Sequence, residues 1–409
     1  MRPLPRERPD PLARAPLVDR LNGWLEGAWR RGLATRPSLD PALLWAKAQR
    51  GAPAAGEQGG RSPEEVADFR LRLDALCDSL RAEAALNPLG LTMAHGQLVR
   101  AIRQRLQLGA LWQARPDRAA TPLAPPILVV GQMRGGTTRV HRLLAADPAH
   151  AATRFCDSWH PSPPCGAGPD LRPVWSALTL AFARRIDPWL DTIHPFGTTR
   201  PDEELGWLAA ALDPCAYEAQ WRIPAFTTWS EGRDAAPVYG EFARILATDA
   251  ARRGNAARPR VMKVPQFAEN LSALLARFPD ARVVVARRDP QQVADSAASL
   301  VANQMTIQSD RVDLSWIAGE CRRKVALRAA RMDHALARFA GPVAEVEFAA
   351  LDADWETEIA RAYRLLGLTL TPQASAAMRV EQGRAARSAH PAHAAAYRSF
   401  ALPQAPPAC

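Results

Sequence analysis

Residues 131–138, Gly131-Gln132-Met133-Arg134-Gly135-Gly136-Thr137-Thr138, follow an apolar run and precede a helical pattern. Gly131 and Gly136 have the G-x-x-x-x-G spacing of a phosphate-binding loop. The glycines let backbone N–H groups approach an anion, and the N-terminus of the next helix adds a positive dipole end. In nucleoside triphosphatases a lysine follows the last glycine and reaches the outer phosphates, and Mg²⁺ sits on the next hydroxyl. Here Thr137 takes the lysine position and Thr138 keeps the hydroxyl. The cation has moved into the loop as Arg134. Such a loop suits a phosphate without a triphosphate tail and without an obligatory metal. Its bland counterpart is a tight strand-to-helix turn that holds no ligand.

A second anion motif lies in ARVVVARRDPQQVADSAASL, residues 281–300. An apolar strand runs into Arg287-Arg288, Asp289-Pro290 breaks it, and a helix begins. Ser296 stands eight residues after Arg288. Arginine at the C-terminal end of a strand lies at the rim where α/β folds bind ligands, and guanidinium plus hydroxyl can clamp a phosphate. A surface ion pair is the alternative for Arg288 alone. Between the two motifs, VMKVPQF (261–267) places Lys263 in an apolar strand. It is one of only three lysines, with Lys47 and Lys324, among 52 basic residues. So sparing a use of lysine suggests that a compact ammonium is wanted there. TRPDEELGWL (199–208) supplies adjacent carboxylates, Glu203 and Glu204. Residues adjacent on a helix point about 100° apart, so one of the two is expected to face a site.

The elements that must position these residues show in the periodicity. Strand-like runs occur at 127–130, 260–264, 282–286 and 343–348. Helical patterns lie near 139–146, 203–212, 240–252, 266–277, 291–304, 317–339 and 354–366. This alternation predicts an α/β fold, a P-loop NTPase-like parallel sheet flanked by helices. Residues 1–120 are expected to be a helical region packed on the main domain. They include a capping box at Ser62-Pro63-Glu64-Glu65 and an apolar helix face through Val66, Phe69, Leu73, Leu76 and Leu80. The α/β domain is placed at 121–385. Residues 386–409 are expected to be a loosely held tail, in Ala-, Pro- and Arg-rich sequence that begins near 383.

Composition narrows the partners. The net charge of +10 fits an anionic ligand. The arginines are spread along the chain without a basic block, an aromatic-basic motif or a zinc finger, so nucleic acid is not expected. No run approaches the ~20 apolar residues of a membrane span. The N-terminus has basic residues but no apolar core, and a cytoplasmic location is expected. Six scattered cysteines show no metal-ligand spacing and are expected to be free thiols; of these, Cys156 and Cys165 are the only near neighbours.

The two anion motifs, in this order and with a lysine strand between them, resemble those of the sulfotransferase family. The first is similar to its 5′-phosphosulfate loop, the second to its 3′-phosphate motif. TRPDEELGWL, VMKVPQF, YRLLGLTLTP (363–372) and AEAALNPLG (82–90) resemble further segments of the bacterial branch, so the likeness spans about 70–380. It departs in three places. Gly135 replaces the usual serine. Val264 and Pro265 stand where the aryl type carries a histidine base. The C-terminal signature is reduced to AYRSFAL (396–402).

The resemblance implies 3′-phosphoadenosine 5′-phosphosulfate as donor, no metal, and in-line transfer to a hydroxyl or amine of a small-molecule, lipid or glycan acceptor. It implies Lys263, Arg134, Gly135, Gly136, Thr137 and Thr138 around the 5′-phosphosulfate, and Arg288 and Ser296 at the 3′-phosphate. A base is needed for the acceptor proton. Glu203 is favoured, with Glu204, His194 and His141 as alternatives. Tryptophans 159, 175, 189, 207, 221 and 229 fall where an acceptor pocket could form. A non-catalytic nucleotide-binding relative, or an atypical P-loop kinase, remains the competing reading; the kinase would need a loop lysine and an acidic Mg²⁺ strand end.

Overall fold

The computed structural model describes residues 10–52, 56–162 and 168–386. Its centre is a five-stranded sheet: β1 (Ile127–Gly131), β2 (Ala151–Ala152), β3 (Arg260–Lys263), β4 (Arg282–Arg287) and β5 (Val343–Glu347). The order is β2-β3-β1-β4-β5, and every pairing is parallel. β1 is buried along its whole length, as a strand covered on both faces requires. Alternate residues serve opposite faces. Leu128, Val130, Val283 and Val285 enter one apolar core with Phe242, Phe267 and Met332. Ile127, Val129, Val284 and Ala286 enter another with Val140, Leu144 and Tyr363.

Four strands fall within a residue of expectation. β2 was not anticipated: two alanines carry no period, and only pairing with β3 at Ala151 and Arg260 makes them a strand. The pattern at 203–212 shrinks to a helix at Leu205–Ala210. That at 266–277 divides into a 3₁₀ turn at Pro265–Ala268 and a helix at Leu271–Arg277. A helix at Arg172–Ile186 was missed. The helix Pro372–Ala386 includes 383–386, where a loose tail was expected to begin. Residues 387–409, with AYRSFAL and Cys409, lie outside the described residues, as does Cys165. Cys77, Cys156, Cys215 and Cys321 are buried free thiols.

The N-terminal helices share a core with the segment after 205. Leu73, Leu76, Leu98 and Ile102 pack with Tyr217, Trp221 and Phe226. The Ser62 capping box forms at the start of Pro63–Ala82. The long helix Pro88–Ala114 docks on the far end of Pro290–Gln308, the helix that carries Ser296. Asn87 caps the first with its Oδ1, while its N–H and Nδ2 donate to the carbonyls of Gln308 and Ile307. Trp221 Nε1 donates to Gln308 Oε1 at 2.8 Å. Gly90 permits this approach, because a Cβ there would lie 2.0 Å from the Gln308 carbonyl oxygen. We expect Gly90→Ala to lower stability by about 1–3 kcal/mol, the usual cost of overpacking. An unchanged denaturant midpoint would show that the two helices are not held this closely.

Candidate active site

The loop leaves the C-terminal end of β1, beside β3 and β4. Gly131 has φ +147°, and a Cβ on it would meet the Ala286 carbonyl oxygen of β4 at 2.6 Å. Arg134 is held at φ +70°, a conformation uncommon outside glycine. Such strain persists where the surroundings over-determine it, often at functional sites. The Gly135 N–H closes the turn onto the Gln132 carbonyl at 2.9 Å. Gly136 has φ +90°, and its missing Cβ leaves room for Phe348, whose Cδ2 would stand 2.6 Å away. The helix Thr137–Ala146 then begins. Its first N–H groups have no partner within the helix, and they lie at the sheet rim.

The two anion motifs meet. Arg134 Nε donates to Ser296 Oγ at 3.0 Å, and Arg288 Nη1 donates to the Arg134 carbonyl at 3.0 Å. The Arg288 guanidinium lies 4.5 Å from the centre of the Phe348 ring, and its buried Nε has no hydrogen-bond partner. A half-buried guanidinium with an unused donor, beside a hydroxyl and a glycine loop, fits a bound phosphate.

Lys263 is the last residue of β3, in register with Val129 of β1. Its side chain is only 1% exposed. The ammonium donates to Thr138 Oγ1 at 3.0 Å and pairs with Glu203. Glu203 is the more open partner. Its main-chain N–H donates to Asp202 Oδ1 at 2.8 Å, and His194 Nε2 lies 3.2 Å from the same oxygen. Burial raises the Asp202 carboxyl, but His194, the Glu203 N–H and Arg142 outweigh it and hold it down at about 2. Asp202 is therefore a fixed anion behind Glu203. The whole segment is pinned to the sheet edge, with Pro201 bridged to Arg154 and the Asp202 N–H donating to the Thr153 carbonyl.

Glu203 and Glu204 precede the short helix rather than opening it, so the helical spacing that set them apart does not apply. Both reach Lys263. Glu203 meets the ammonium, and the fully buried Glu204 accepts the Lys263 main-chain N–H through Oε2 at 2.9 Å. His141 is buried in the loop helix, and burial together with the Lys263 charge pushes it down to about 3. It is a neutral packing residue. Sequence reasoning missed Asp202, Phe348 and a link from Arg200 to Glu381 of the C-terminal helix. Asp202 sits in the quoted TRPDEE run and was open to notice; Phe348 was assigned to a strand end.

The fold is thus a parallel α/β sheet with a lysine-free phosphate loop, whose lysine comes from the neighbouring strand. The sulfotransferase family profile matches residues 125–372, and the chain belongs to that family. It is similar in structure to sulfotransferase STF1 from Mycobacterium tuberculosis H37Rv, at 26% identity and a TM-score of 0.73, covering 88% of this chain and 98% of that one. It shares its fold with sulfotransferase STF9 from Mycobacterium avium, at 21% identity and a TM-score of 0.73, covering 84% and 87%. A search of curated proteins finds no match. The protein is a sulfotransferase. No helix among the described residues is long and apolar enough to cross a membrane.

Burial raises the Glu204 carboxyl to about 7, against the pull of the Thr153 hydroxyl, the Lys263 N–H and Arg260. Its folded pKa lies above its unfolded value near 4.5. The native state then holds more protons than the unfolded chain in that window, so this group's contribution falls as pH rises from about 4.5 to about 7. Glu204→Gln keeps an acceptor for the Lys263 N–H and removes the titration. Its melting temperature should fall less than the wild type's between pH 5 and pH 8. Parallel pH curves would place the carboxyl in the ordinary range.

Proposed function

We propose that the protein moves a sulfuryl group from 3′-phosphoadenosine 5′-phosphosulfate to a hydroxyl or amine. The observation that supports this best is the contact between the two anion motifs, Arg134 with Ser296 and Arg288 with the Arg134 carbonyl, beside the Lys263–Thr138–Glu203 cluster. One bisphosphorylated adenosine would engage both. The donor supplies an activated sulfur and a phosphate leaving group. The chain supplies fixed positive charge where the leaving oxygen gains electrons. That role falls to Lys263, Arg134 and the Gly135–Thr138 backbone, with the hydroxyls of Thr137 and Thr138. Arg288 and Ser296 hold the 3′-phosphate.

In the transfer, the acceptor oxygen or nitrogen forms the new bond to sulfur, the sulfur–phosphate oxygen bond breaks, and the acceptor proton goes to a base. We assign the base to Glu203, which is partly open, paired with Lys263 and anchored by Asp202. An anion on the loop competes with Glu203 for the Lys263 ammonium and so loosens the carboxylate toward the acceptor. His194 is held by Asp202, whereas Glu203 contacts Lys263 directly, so Glu203 is preferred. No step calls on a metal.

Two measurements test this reading. Glu203→Gln should bind adenosine 3′,5′-bisphosphate at least as tightly as the wild type by calorimetry, while its transfer rate falls roughly 10²–10⁴-fold, the usual worth of a general base. Normal turnover would remove Glu203 from the mechanism. Arg288→Ala should weaken the same ligand roughly 10–100-fold, as expected for lost charge-assisted bonds. Unchanged affinity would contradict the 3′-phosphate assignment.

A further inference from the structure

Beside the loop lies a cavity with about 580 Å³ of empty space, part of it open to solvent. Gln132 and Met133 of the loop form one wall, and Val301 of the Ser296 helix another. Trp316 and Ile317, from the helix Leu314–Leu336, face them. The cavity therefore shares a wall with the anion loop. None of the six tryptophans singled out in the sequence lines it. Trp207 and Trp221 are core residues, and Trp316 lies beyond the second motif.

The cavity ends in a buried ion network. Lys324 meets Glu218, Glu231 and Glu269 at 3.1, 2.9 and 2.6 Å. Arg328 pairs with Glu218 and with Glu269. Arg323 bridges Glu231 and Glu320 at 2.8 and 2.7 Å. Four carboxylates thus meet three cations. Access is as uneven as charge. Among the charged groups lining the cavity, Lys324 and Arg328 are sealed, at 6% and 3% side-chain exposure, while Glu218 and Glu320 keep 15% and 22%. Burial opposes the ionisation of Glu218, but the charges of Lys324 and Arg328 outweigh it and hold it below the usual carboxylate range. An occupant therefore meets apolar walls and carboxylate oxygens.

Resting on the transfer reading above, we propose that this cavity is the acceptor subsite and selects an alcohol or amine with an apolar body and a cationic or hydrogen-bond-donating far end. Anionic acceptors are disfavoured. The reacting hydroxyl lies toward the loop and the donating end toward Glu218. A desolvated carboxylate facing the ligand discriminates between charges by far more than one facing water does.

The test uses three phenols of matched size with the full chain and the sulfate donor: tyramine, 4-ethylphenol and 4-hydroxyphenylacetate. Sulfated product is followed by mass spectrometry. Tyramine should give the highest kcat/KM and 4-hydroxyphenylacetate the lowest, at least about tenfold apart. Glu218→Gln should narrow that ratio, and Val301→Trp should reduce turnover of all three by about tenfold or more, the space being filled. Both variants should bind adenosine 3′,5′-bisphosphate as the wild type does, which shows that they fold. Equal or reversed preference, no turnover of any phenol by a protein that binds the bisphosphate, or an active Val301→Trp would overturn the proposal. Loss of bisphosphate binding by the wild type would instead overturn the transfer reading beneath it.

Discussion

A single buried ammonium organises the molecule. Lys263 is sealed from water, and a charge in that position is tolerated only when paired and hydrogen-bonded. Its partners come from distant sequence: Glu203 is 60 residues away and Thr138 is 125. The central sheet brings them within reach. Parallel pairing of β3 with β1 sets Lys263 beside Val129, two residues before the loop. The anchoring of 201–204 to 153–154 then delivers the carboxylates from the other side. Breaking a buried pair by removing one partner typically costs about 3–5 kcal/mol. Fold and site are thus coupled, since the strand order that completes the core also neutralises the ammonium.

Moving the lysine off the loop has a physical consequence. A lysine that follows the last glycine swings with a flexible stem over the outer phosphates. Here the stem is packed within a strand, and only the charged tip reaches the loop. The ammonium is held in place by Thr138 and Glu203, so in the proposed transfer little reorganisation is needed when charge develops at the leaving oxygen. The loop's own cation, Arg134, is turned by its left-handed backbone toward Ser296. The division of labour is therefore spatial: lysine on the β3 side, the two arginines on the β4 side, and backbone N–H groups between.

Much of this was legible because it rests on local rules. Strand–loop–helix punctuation and continuous apolar runs exposed β1, β3 and β4, and the scarcity of lysine drew attention to Lys263. Other features depended on tertiary partners. Ala151–Ala152 is a strand only because β3 lies alongside. Glu203 and Glu204 carry no sign that the helix starts two residues late; once outside it, both turn toward one lysine through different atoms. The Arg172–Ile186 helix buries a face that includes Arg172, Ser176 and Leu180 while leaving Val174, Trp175, Leu178 and Phe182 exposed, so apolarity does not mark its inner face. The proposed acceptor cavity draws its walls from four separate stretches, and the charge it presents depends on which members of an ion network are covered.

The loop divides two electrostatic environments, and that division bears on turnover. On the proposed donor side, Arg134, Arg288 and Lys263 would present positive charge to phosphate groups. On the cavity side, Glu218 and Glu320 keep the exposure that Lys324 and Arg328 lack. In the proposed reaction an acceptor arrives neutral or cationic and leaves with a sulfate, a permanent anion. The carboxylates that favour its entry then oppose the charge it has gained, while the spent bisphosphate remains attracted to the arginines. Product release limits many well-evolved enzymes. With the acceptor entering as proposed, the sulfated product is repelled from that side, and product before nucleotide is the order of departure that the proposal implies.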